Sequence, residues 1–103
     1  MPTEMPPGLT LTEDTAFTGD ALQRIREHRD VDLRDISDHT KISLMNLRYI
    51  EDMEYDQLPA AVYVRGFLRE YAKYLRLPGK QVVETYLAEY DRALAPAEGE
   101  EAP

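Results

Sequence analysis

A chain of 103 residues carrying 12 basic and 20 acidic side chains, net charge −8, is one small domain with a modest core. It has no cysteine, which excludes a disulfide framework and a thiolate metal site and suits a reducing compartment. Its acidity argues against bulk attraction to nucleic acid, because phosphate contacts supply most non-specific affinity, and only a local basic patch overrides that.

Residues 1–16, "MPTEMPPGLTLTEDTA", are rich in Pro and Thr and lack sustained periodicity, so they read as a disordered arm. They have neither the basic nor the apolar region of a signal peptide. No apolar run approaches the ~18 residues of a membrane span. Residues 17–95 read as one compact all-α domain of five helices, and the tail 96–103, "PAEGEEAP", as an acidic linker.

The first helix starts at "TGD", with Thr18 as N-cap and Asp20 in the positive first turn. It faces Leu22 and Ile25 inward and ends near His28. Asp32 caps the second helix, which buries Leu33 and Ile36. After the tight turn "HTKIS", Ser43 caps a third helix with Leu44, Leu47 and Ile50 at helical spacing. Pro59 suits the first position of a fourth helix. Leu77 and "PG" break the chain, and a fifth helix runs through Val82, Val83, Tyr86, Leu87 and Tyr90 to about Leu94. Two short helices joined by a short turn inside such a domain form a helix-turn-helix pattern.

Charge is uneven along the chain. Residues 58–95 hold six basic groups against four acidic, the one net-positive segment, and they contain "LPAAVYVRGFLREYAKYL". At about 100° per residue, Ala61, Val64, Leu68, Ala72 and Leu75 share a core face. Tyr63, Phe67 and Tyr74 share a second face, and Arg65, Arg69, Lys73 and Arg76 a third; Tyr71 lies between the core and aromatic sides. Core burial is the expectation for Tyr71 and Tyr74. The basic face reads either as a solvated face or as a seat for an acidic protein surface, lipid headgroups or phosphate. Gly66 either leaves a notch for a partner backbone or packs tightly against the first or third helix, at a helix cost of roughly 1 kcal/mol.

The words "TG..L...RE", "DI...TKIS...L..IE" and "LP...Y.RGF...YA.YL" resemble the N-terminal helix-turn-helix domains of the RodZ family, within the Xre-like group, over roughly residues 18–90. The third of these words is the specific one. The chain departs from the family at "RDVDL", where members carry Gly-Leu or Gly-Met between the first two helices; Asp also tolerates a left-handed backbone. The resemblance implies a non-catalytic adaptor in the bacterial cytoplasm. Such an adaptor couples the actin-like filament protein MreB to cell-shape machinery, at the inner face of the membrane where the parent continues into a transmembrane helix. It carries the filament contact onto Tyr63 and Phe67, with Arg65, Arg69 and Lys73 to steer and orient the partner.

The fold class also admits a sequence-specific DNA-binding regulator. Its reading residues are Ser43, Asn46 and Arg48 on the third helix, with Lys41 on a phosphate. Glu51, Asp52, Glu54 and Asp56, with Asp32, Asp35 and Asp38, set repulsion against that alternative. The two histidines, His28 and His39, lack metal-ligand spacing, and no phosphate loop or nucleophile motif is present. No enzyme activity and no cofactor are expected.

Overall fold

The computed structural model describes residues 5–94. Within them lie α1 (Gly19–His28), α2 (Leu33–Thr40), α3 (Leu44–Asp52), α4 (Ala61–Tyr74) and α5 (Gly79–Leu94), with a 3-10 turn at Tyr55–Gln57. The fold is all-α, and no strand occurs among the described residues. No helix there is long and apolar enough to cross a membrane.

Three predicted N-caps are in place. Thr18 accepts from the Ala21 amide, Asp32 forms a capping box with Asp35, and Ser43 accepts from the Asn46 amide. The Pro59 prediction fails: α4 starts two residues later, at Ala61, with no side-chain cap. Pro59 instead stands in the approach, where its carbonyl accepts from Tyr90 Oη at 3.2 Å. Because Tyr90 lies near the end of α5, that bond also fixes α4 and α5 as antiparallel.

The helix exits share one device. Asp30, Lys41, Met53 and Arg76 all take positive φ, between 56° and 68°, although none is glycine. After α1, the Asp30 amide reaches the Glu27 carbonyl and the Val31 amide reaches Arg26; after α4, Arg76 reaches Lys73 and Leu77 reaches Ala72. These are Schellman motifs, which return orphan carbonyls to hydrogen bonding and fold an apolar residue back onto the helix. Asp30 thus supplies the left-handed turn that the departure at "RDVDL" left to it.

The core gathers one stripe from each helix: Leu22 and Ile25, Ile36, Leu47 and Ile50, Val64 and Leu68, and Val82 and Tyr86 are fully buried. Gly19 allows α1 to start directly against the end of α3. A Cβ there would clash with the carbonyl oxygens of Ile50 and Glu51. The described part of the arm, 5–16, has no helix yet is tied to the fold. Gln81 Nε2 donates to the Thr12 and Thr15 carbonyls at 2.8 and 2.9 Å, and Met5, Leu9 and Leu11 pack on the core. Phe17 is fully buried, its amide donating to Thr85 Oγ1 at 2.9 Å. Phe17 and Leu22 hold the N′ and N4 positions of a hydrophobic staple, a signal that was open to reading in the sequence.

Candidate functional site on the exposed faces of α4

A buried polar knot fixes α4 in place. Arg26 of α1 donates from Nε and Nη2 to the two carboxylate oxygens of Glu51 on α3, at 2.7 and 2.9 Å, and from Nη1 to the Val31 carbonyl at 2.8 Å. Tyr71 of α4 completes it: its hydroxyl donates to Glu51 Oε2 at 2.5 Å and sits 3.2 Å from the Leu22 carbonyl oxygen. A phenol has one proton, and the charged acceptor takes it. Burial first, and then the Glu51 charge, push the Tyr71 pKa well above its ordinary value. The Arg26 guanidinium is held more firmly protonated by its hydrogen bonds to Glu51. Tyr71 is therefore core, as expected. Tyr74 is half-buried, edge-on to His39 of α2 with ring centroids 5.3 Å apart.

The outer side of α4 is where exposure and apolarity meet. Val62 is 68% exposed and Tyr63 61% exposed, neighbours at the start of the helix. Gly66, one turn on, has nothing within 4 Å of where a Cβ would stand, so it is an open notch and not a packing contact. Phe67 is half-buried, one side on the core.

The basic residues lie apart from these aromatics. Arg65, Arg69 and Lys73 face α5 and line a groove of about 780 Å³. Lys80 joins them from the opposite wall, Leu77 and Val83 form an apolar floor, and Glu70 and Glu84 are the groove's acids. Tyr63 and Phe67 do not line it. The five residues expected to act together thus divide between two flanks of the core stripe, the basic flank beside α5 and the aromatic flank on the side of α2. No predicted residue marked Lys80 as their partner. It follows the chain break at "PG", and only the antiparallel return of α5 brings it opposite Lys73.

On the helix-turn-helix face, Arg48 and Lys41 are exposed and Asn46 is half-buried. The Ser43 hydroxyl is engaged as the α3 cap, and Lys41 holds the left-handed exit of α2. Glu51 requires a correction. It was counted among the surface acids that repel DNA, but it is 5% exposed and neutralised internally by Arg26. Asp52, Glu54 and Asp56 remain exposed.

A helix-turn-helix domain family matches residues 21–82 of the chain. The cytoskeleton protein RodZ of Streptococcus pneumoniae is 32% identical over 68 residues, covering 66% of this chain and 25% of that protein. A protein of Haemophilus influenzae described as uncharacterized is 32% identical over 68 residues, covering 65% of this chain and 22% of its own length. The chain therefore spans about a quarter or less of the length of these curated relatives. No solved structure matches it.

Proposed function

The chain belongs to the helix-turn-helix domain family in a RodZ-like form, and from that premise we propose that it is a protein-interaction module, acting by binding rather than by catalysis, whose α4 docks on a cytoskeletal filament. The partner is an actin-like filament protein of the MreB kind, and the setting is bacterial cell-shape machinery on the cytoplasmic side. The observation that carries this reading is the seat made by Val62, Tyr63 and Gly66. A helix held rigid from below by the Arg26–Glu51–Tyr71 knot presents two exposed apolar side chains beside an open glycine notch. Exposed aromatics on a rigid support lose little entropy on binding and make good anchors. Phe67 extends the seat, and Arg65, Arg69 and Lys73 supply positive charge along one side of it for an acidic surface.

Co-sedimentation with MreB filaments tests the proposal. Binding by the wild type, lost in Tyr63→Ala while circular dichroism stays helical, supports it; a wild type that stays in the supernatant sinks it. One observation favours the second reading, sequence-specific DNA binding. Glu51 is buried and paired with Arg26, so it adds no free negative charge to the exposed side of α3 that carries Arg48. That reading requires a steep salt dependence of DNA affinity, and loss of sequence preference in Asn46→Ala and Arg48→Ala.

A further inference from the structure

We propose that the groove between α4 and α5 is the docking site of the chain's own acidic tail, residues 96–103. The groove gathers four cations, Arg65, Arg69, Lys73 and Lys80, over the apolar floor of Leu77 and Val83. Glu70 and Glu84 offset part of that charge, and Glu84 is already engaged by Lys80 at 3.9 Å. The lining nevertheless keeps more cations than acids in a chain of net charge −8. A separate acidic partner gives up translational and rotational freedom on docking, a cost that a tethered segment largely avoids. A short tether also presents the segment at roughly millimolar effective concentration.

The tail has the right chemistry and the right starting point. Glu98, Glu100 and Glu101 alternate with Ala, Gly and Pro, small residues that fit a shallow apolar floor. The Tyr90–Pro59 hydrogen bond places the end of α5 beside the start of α4, so the chain leaves Leu94 at the Arg65 end of the groove. From Leu94 back to Val83 is about 16 Å along a helix axis. Seven extended residues span up to about 23 Å. Glu98 falls within reach of Arg65, and Glu100 and Glu101 within reach of Arg69. Exposed pairs of this kind are individually weak, so docking is reversible. A docked tail competes with any acidic partner for the same cations. This inference does not depend on the filament reading, because it concerns two parts of one chain.

The chain has no cysteine, so Ala102→Cys in the full chain gives a single site for a nitroxide label. The expected result is broadening of the amide resonances of residues 65–73 and 79–84. That broadening disappears in Glu98→Gln/Glu100→Gln/Glu101→Gln, and in about 1 M salt, where the screening length falls to about 3 Å. Broadening confined to the last turns of α5, or unchanged by charge removal and salt, overturns the proposal. It would leave the groove to another anion, a lipid headgroup or an acidic protein. Filament binding itself is read separately, by co-sedimentation.

Discussion

Arg26 and Glu51 meet in a two-pronged ion pair, Nε to Oε2 at 2.7 Å and Nη2 to Oε1 at 2.9 Å, with side chains 11% and 4% exposed. The pair stitches α1 to α3, and Tyr71 ties α4 to the same carboxylate. Removing the cation leaves a carboxylate in the interior with one phenol for company. Arg26→Ala is expected to lower stability by about 3–5 kcal/mol in urea titration, because a stranded buried charge costs more than the pair contributed. Arg26→Met with Glu51→Leu should recover part of that loss, since no charge is then stranded. Equal destabilisation in the single and double variants would show that the pair does not behave as a buried one.

Alkaline pH should loosen the fold through the buried phenols. Burial raises the pKa of Tyr71, Tyr86 and Tyr55 in the folded state, with Glu51 adding to the effect at Tyr71 and Glu89 at Tyr55. A raised folded pKa means the native state keeps protons that the unfolded state releases above about 10. Stability is therefore fully present below pH ~10 and falls as pH rises beyond it, by up to about 1.4 kcal/mol per pH unit for each of the fully buried Tyr71 and Tyr86, and by less for the half-buried Tyr55. Tyr71→Phe should flatten the slope by one group while costing about 1–2 kcal/mol at neutral pH for the lost hydrogen bond to Glu51. An unchanged alkaline slope in that variant would remove Tyr71 from the account.

Gly19 is set by close approach, not by φ. Its missing Cβ leaves room for the carbonyl oxygens of Ile50 and Glu51, which are backbone atoms and cannot rotate away. Gly19→Ala should cost about 2–3 kcal/mol through forced separation of α1 from α3, although alanine is the better helix former. Gly66→Ala, by contrast, meets open space and should gain up to about 1 kcal/mol from helix propensity. The two melting temperatures should move in opposite directions.

The left-handed exits offer stabilisation. Asp30 and Arg76 hold φ of 56° and 57°, where a Cβ crowds the following carbonyl. Asp30→Gly and Arg76→Gly are each expected to raise stability by about 0.5–1 kcal/mol, strain relief outweighing the added freedom of the unfolded chain. A fall in melting temperature for Arg76→Gly would mean that its side chain contributes more than its backbone costs.

The helices and their N-caps were legible because periodicity and capping are local. Thr18, Asp32 and Ser43 announce themselves within four residues of the bonds they make. What was not legible depends on which helix faces which. Glu51 read as a surface acid until α1 brought Arg26 across to it, a partner 25 residues away. The wheel already set the basic and aromatic residues of α4 on separate faces, and the family resemblance joined them in one contact; only the seating of α2 and α5 determines what covers each flank. Lys80 was invisible as a groove residue for the same reason. Phe17 was legible in principle, one residue before a cap, but an irregular, Pro-rich approach masked it.

The exposure of α4 separates its two expected anchors experimentally. Tyr63 is 61% exposed, so Tyr63→Ala should leave stability within about 0.5 kcal/mol of the wild type. Phe67 packs partly on the core, and Phe67→Ala should cost about 1–2 kcal/mol before any partner is added. Loss of filament binding in Phe67→Ala is therefore ambiguous by itself, whereas loss in Tyr63→Ala reports on the surface. If Tyr63 is an anchor at the centre of the contact, its truncation should weaken binding by about 2 kcal/mol or more, roughly thirtyfold in Kd. Arg69→Ala, on the rim, should act mainly on the association rate and do so less as salt rises. A Tyr63→Ala variant that is as stable as the wild type and binds as well would place the contact elsewhere on the module, with the helix-turn-helix face around Arg48 the next surface to mutate.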